Sequence, residues 1–327
     1  MGVNYVAASF FTDEANPYQN FKSIGLVNTA SLDNLITDSG AGATVLATGY
    51  RTINKYISVD SSGNSLKTLL EIAHERGKSV GIISTSSVTH ATPAAFYAHV
   101  DDRGRESDIA LQLSLANIDV IIGGGKQFFI PEVAGIGRKD KINLIKRMKS
   151  LGYKWFEEFD YASIIREEKV ICLLENNGLK QASKRKQTLG DYTKAAIENL
   201  RSNEKGFVLM VEGSQIDWAG HDNNSDELLS EMKDFNTAIQ ESLNFAKADG
   251  NTLVVVTADH ETGGMAITAG DVQGKNIKLS FISKNHTAGF VPVFSFGHSE
   301  EQFQGILENY ELGRKLILLI DPSHNFK

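Results

Sequence analysis

The sequence predicts an α/β layered fold with a mostly parallel sheet. Apolar, β-branched runs of strand length recur at 79–84, 119–122, 169–174, 207–211, 252–257 and 291–296. Helical patterns lie between several of them, and that alternation points to a buried sheet with helices on its faces. Polar residues stand just past three of these runs, at Ser84-Thr85, Glu212 and Asp259-His260. Open parallel sheets gather functional groups at the carboxyl ends of their strands.

The first strong local signal is Thr37-Asp38-Ser39-Gly40-Ala41-Gly42-Ala43-Thr44, which continues through Val45-Leu46-Ala47-Thr48-Gly49 as a helix of small residues. Small neighbours leave the Ser39 hydroxyl open to a substrate. A helix start also presents free N–H groups and the positive end of the dipole, which suits a serine ester of an anion such as phosphate. Taken alone, Ser39 reads first as an ordinary N-cap. The pattern over 66–76 predicts a helix closed by Gly77. Further helices are predicted over 107–116, 191–202 and 226–248, each ahead of a strand. Segments 123–147 and 176–187 are Gly-, Lys- or polar-rich and read as small insertions leaving the core. No repeat or linker divides the chain, so 1–327 is expected to be one domain.

Composition narrows the function classes. With 327 residues, 41% of them hydrophobic, the chain supports one large core. Its net charge of −7 and lack of a long basic block argue against nucleic acid as the main ligand. The single cysteine, Cys172, sits in an apolar run and is expected to be a buried hydrophobe, so no intrachain disulfide forms. No apolar run reaches the ~18–20 residues of a membrane span, and the N-terminus lacks a signal-peptide pattern.

Four more segments carry metal-binding residue types. They are Thr89-His90-Ala91-Thr92 with Asp101-Asp102-Arg103, Val211-Glu212 through Asp217-Trp218-Ala219-Gly220-His221, Val256-Thr257-Ala258-Asp259-His260-Glu261, and Asn285-His286-Thr287. Asp217 and His221 are four apart, so one helical turn places both on one face, able to hold a cation. Carboxylate with imidazole suits zinc. Asp259 and His260 are adjacent, and serving one ion requires a turn, which Glu261-Thr262-Gly263-Gly264 supplies. In isolation Asp259 reads first as a helix N-cap.

These five segments, in this order, closely resemble the alkaline phosphatases over nearly the whole chain. The resemblance implies a three-layer α/β/α core and phosphate monoester hydrolysis through a phosphoserine at Ser39. It implies one zinc at Asp217, His221 and His286, a second at Asp259 and His260, and a magnesium or other divalent ion at Thr92 and Glu212. Arg103 matches the family's phosphate clamp, with Asp38 supporting it. His90 and Trp218 occupy positions near the third ion that vary within the family, His90 for an Asp and Trp218 for a Lys. Small phosphate monoesters are the implied substrates, a homodimer is compatible with family habit, and family members are usually periplasmic or extracellular. Localisation of this chain itself stays open.

The family opens with a core strand ending in Gly-Asp-Gly-Met-Gly, whose Asp bridges two ions. Met1-Gly2 matches the end of that motif, so the first strand and the bridging Asp are expected to be missing, and activity of this chain to be impaired. Two other readings stay open: a related phosphodiesterase or sulfatase, although Ser39 with Arg103 favours monoesters, and a phosphate- or metal-binding protein without turnover.

Overall fold

The computed structural model describes residues 1–274 and 276–326. Helix α1 (Val3–Thr12) leads to strand β1 (Ser23–Asn28), α2 (Ser39–Thr48), α3 (Leu69–Glu75) and β2 (Ser79–Ser87). Then come α4 (Ala91–Ala94), α5 (Glu106–Leu113), β3 (Val120–Gly124), α6 (Leu144–Ser150), β4 (Lys154–Phe156), α7 (Tyr161–Ile164) and β5 (Val170–Leu173). Helix α8 (Leu189–Leu200), β6 (Phe207–Glu212), α9 (Gln215–Asp222), α10 (Ser225–Asp249) and β7 (Val254–Val256) follow. The chain closes with short strands β8 (Glu261–Thr262), β9 (Ala266–Ala269), β10 (Lys278–Ser280) and β11 (His286–Thr287), then β12 (Val291–Phe296), β13 (Gly305–Glu308) and α11 (Asn309–Ile320).

The helices begin and end where side-chain chemistry allows. Asp38 caps α2, and Gly49 ends it in the left-handed conformation at φ 74°. Thr68 and Glu71 form a capping box on α3, as Thr188 and Asp191 do on α8. Asn224 caps the long α10, which Gly250 stops.

The strands form a five-stranded, all-parallel sheet in the order β4-β5-β3-β2-β6. A second sheet, β13-β1-β12-β7, is mixed, with β12 antiparallel to both neighbours. The predicted strand at 291–296 therefore belongs to a mixed sheet and not to the parallel one. Ile121 and Ile171 face a core shared with α2 and α3, while Val120, Ile122 and Cys172 face a core shared with α8. That alternation puts helices on both faces and explains why the parallel strands read as continuous apolar runs.

Segment 123–147 is anchored to the core. Phe129 and Leu144 are fully buried, and buried Arg138 donates to the carbonyls of Ser107 and Phe128. Its glycines and lysines masked anchors spaced too irregularly for a periodic signal. Cys172 is buried and free. No helix among the described residues is long and apolar enough to cross a membrane.

Candidate active site

The chemistry-bearing side chains converge at the carboxyl ends of β2, β6 and β7. Asp38, not Ser39, is the N-cap of α2: its carboxylate accepts from the Ala41 amide at 3.0 Å. Ser39 is thus the first helical residue. Its Oγ lies 3.0 Å from His260 Nε2. The helix reaches this strand end because Gly42 carries no side chain; a Cβ there would meet the Asp259 carbonyl at 2.9 Å. Asp259 is followed by strand β8 and no helix, so it caps nothing. Its Oδ2 sits 3.3 Å from His260 Nε2 and is a buried oxygen without a hydrogen-bond donor. An orphaned carboxylate oxygen in the interior is costly unless a cation completes it.

Helix α9 carries Asp217 and His221, and β11 pairs with β8 to bring in His286. One donor atom from each lies within 4.8 Å of the others. His221 Nε2 and His286 Nε2 are 3.1 Å apart. Each ring's Nδ1 faces a backbone carbonyl, Lys284 at 2.5 Å and Thr37 at 2.8 Å. Those carbonyls place the proton on Nδ1, so both Nε2 lone pairs point at one spot beside Asp217. The Thr262 hydroxyl donates to the other side of Asp217. Burial opposes ionisation of Asp217, but its bonds with His221 and Thr262 and the charge of His260 outweigh it and lower its pKa. Asp217 in turn raises His221 to about 9. Burial holds His260 down at about 4 despite Asp259 and Asp217. The set suits a divalent cation, which would stand where His221 otherwise draws a proton.

Glu212 ends β6 and accepts from Ser84 Oγ at 2.5 Å and Ser214 Oγ at 2.7 Å. Thr92 lines the same cavity as Glu212. Burial pushes Glu212 up to about 7 even against these donors. Hard oxygen donors gathered this way suit magnesium. The three-hydroxyl cradle of Ser84, Ser86 and Ser214 was not assigned from sequence, although Ser84-x-Ser86 beside Glu212-x-Ser214 was its visible trace.

Arg103 Nη1 donates to Asp38 Oδ2 at 3.0 Å, and its Nη2 lies 3.2 Å from His90 Nε2. Burial works against the Asp38 carboxylate, but the Lys55 and Ala41 amides and Arg103 prevail and lower its pKa. Burial, with Arg103 alongside, holds His90 at about 4, so His90 is neutral. Trp218 stands edge-on to the His90 ring at 6.1 Å. All twelve residues singled out from the sequence thus lie in this region. Of the other histidines, His99 bonds Glu71 and the Ser58 carbonyl, a structural role.

The sequence model described as Alkaline phosphatase matches residues 5–280. Alkaline phosphatase 4 of Bacillus subtilis is 42% identical over 260 residues, which are 77% of this chain and 55% of that protein. The alkaline phosphatase of Escherichia coli is 32% identical over 317 residues, 82% of this chain and 66% of its own. The chain spans about half the length of the Bacillus relatives it matches. Among solved structures, the alkaline phosphatase of the Antarctic bacterium TAB5 superposes with a TM-score of 0.92 at 36% identity, covering 99% of this chain and 96% of that one. A variant of the TAB5 protein has been solved with magnesium in its M3 site. By sequence match, identity and fold alike, this chain belongs to the alkaline phosphatase family.

Proposed function

We propose that this chain hydrolyses phosphate monoesters through a covalent phosphoserine at Ser39. The observation that carries this reading is the Ser39 hydroxyl at the start of α2, 3.0 Å from His260 Nε2, with Arg103 tied to the neighbouring Asp38. Ser39 Oγ attacks phosphorus and the Oγ–P bond forms as the ester P–O bond breaks; the proton given up by Ser39 to solvent is balanced by the one the leaving alkoxide takes up to depart as the alcohol. Water then attacks phosphorus, the Oγ–P bond breaks, and inorganic phosphate leaves with Ser39 restored. The N–H groups of α2 face the phosphoryl oxygens, and the Arg103 fork holds two of them. Asp38 keeps that fork extended. Asp217, His221 and His286 would hold one zinc, Asp259 and His260 a second, and Glu212 and Thr92 a magnesium. Bound there, divalent cations supply positive charge for the entering and leaving oxygens.

The test is hydrolysis of a chromogenic phosphate monoester at alkaline pH with zinc and magnesium supplied, beside a phosphodiester. Isotopic phosphate trapped on Ser39 supports the route. Hydrolysis that persists in Ser39→Ala would overturn it. Equilibrium phosphate binding without turnover would leave a binding protein in its place.

A further inference from the structure

The turn at Asn54-Lys55 is fastened by its backbone to the pair Asp38 and Arg103. The Lys55 amide donates to Asp38 Oδ1 at 3.0 Å, and the Lys55 carbonyl accepts from the Arg103 amide at 2.9 Å. Asn54 Oδ1 accepts from the Asp38 amide at 3.1 Å, and Asn54 Nδ2 donates to the Ile36 carbonyl at 3.1 Å. The turn also lies against the residue that follows Ser39: a Cβ on Gly40 would meet the Lys55 carbonyl carbon at 3.1 Å. At Lys55 the backbone is left-handed, with φ 75°. Glycine and asparagine adopt that conformation readily, whereas lysine is strained in it. Backbone strain of this kind clusters where a side chain is in use. Lys55 is exposed and, among the described residues, pairs with no carboxylate. The acids around it are engaged elsewhere. Asp33 accepts from the Asn54 amide, Asp101 pairs with Arg105, and Asp102 accepts from the Gly104 amide.

We propose that Lys55 is a specificity-determining residue, an assignment that rests on the phosphate site at Ser39 and Arg103. Its ammonium holds a second anion on the alcohol part of the ester. The preferred substrates are therefore phosphate monoesters whose alcohol carries a carboxylate or a further phosphate. The two cations divide the work by their shapes. The planar fork of Arg103 suits the phosphoryl oxygens, and the four-carbon stem of Lys55 brings a point charge within reach of what extends from that phosphoryl group. A neutral alcohol leaves the ammonium in water and gains nothing from it. The hydrogen bonds that fix the turn hold the base of the stem before substrate arrives, so binding orders only the stem itself.

The experiment measures equilibrium binding to the full chain by titration calorimetry, with zinc and magnesium supplied. It is run at about 0.15 M salt, where a diffuse field is screened beyond ~8 Å. The probes are three phosphonates that the enzyme cannot hydrolyse. Phosphonopropionate carries a carboxylate, ethylene diphosphonate a second phosphonate, and hydroxypropylphosphonate a neutral hydroxyl, each two carbons from phosphorus. Lys55→Gly removes the ammonium and suits the left-handed backbone, so the turn is kept. The preference for the anionic probes over the neutral one is expected to fall about tenfold in Lys55→Gly and to return in Lys55→Arg. The anionic probe that loses more identifies carboxylate or phosphate as the group that Lys55 reads. The same preference in Lys55→Gly as in the unaltered chain would overturn the proposal, as would equal binding of all three probes to the unaltered chain. Binding of none of the three would overturn the phosphate site itself together with this assignment, an outcome distinct from a lost preference.

Discussion

Strand β3 reads Val-Ile-Ile-Gly-Gly and is buried at every residue, whereas β6 reads Phe-Val-Leu-Met-Val-Glu and is only half-buried along its whole length. The two lie in the same sheet and are comparably apolar. They differ in their neighbours: β3 is flanked by β5 and β2, while β6 has β2 on one side and a cavity on the other. Their carboxyl ends differ too. Strand β3 runs into Gly124 and Gly125, but β6 ends in Glu212, and β7 across the cavity leads to Asp259 and His260. The interior strand ends in glycines, whereas the edge strand ends in a carboxylate of the candidate site.

The largest expected effect separates the two. Ser39→Ala should cut phosphate monoester hydrolysis by at least about 1,000-fold while leaving the denaturation midpoint nearly unchanged, measured by steady-state rates and urea unfolding. A matched loss of stability would break the division between chemistry and fold. Next, the same truncation on the two strands should differ. Val120→Ala in β3 should cost about 2 kcal/mol or more, and Val208→Ala in β6 less than half of that, because Val120 is fully buried and Val208 only half-buried.

A smaller effect is expected at Asp38. Asp38→Ala removes the cap of α2, worth about 1 kcal/mol, and unties Arg103. Phosphate affinity should fall about tenfold, read by titration calorimetry, and an unchanged affinity would remove Arg103 from the phosphate site. The smallest concerns His99 and Glu71. Burial alone would lower His99 and raise Glu71, but their 3.1 Å hydrogen bond outweighs it, so His99 lies above 6.5 and Glu71 below 4.5. The His99 contribution is full below pH 6.5 and fades as pH rises through its raised folded value. The Glu71 contribution is full above pH 4.5 and fades as pH falls through its lowered one. Stability from the pair therefore peaks between pH 4.5 and 6.5. Glu71→Gln should flatten that window by under about 1 kcal/mol, since both groups are partly exposed.

Much of the site was legible because its signals are local. Asp217 and His221 share a face of α9 by spacing alone, and a serine amid small residues at a helix start is visible in any frame of the sequence. His286 was reached only through resemblance, because no spacing links it to His221 across 65 residues. The Thr37 and Lys284 carbonyls that orient the two rings had no sequence signal, since every residue owns a carbonyl. Strand β1 escaped notice because Gly25 and Asn28 interrupt its apolar run. Gly25 is there because a Cβ would meet the Phe303 carbonyl at 2.5 Å, a constraint set by a residue far along the chain. The strand expected over 252–257 pairs only at Val254–Val256, on its β12 side.

The sequence by itself determined the α/β class, the main strands and helices, and the inventory of donors, because periodicity, capping and i,i+4 spacing act within a few residues. Tertiary structure alone decided which apolar strand is interior and which is an edge, which carbonyls fix the imidazole tautomers, and where the cavity opens. Those outcomes depend on neighbours remote in the chain, and nothing in a strand's own residues records whether both of its edges are paired.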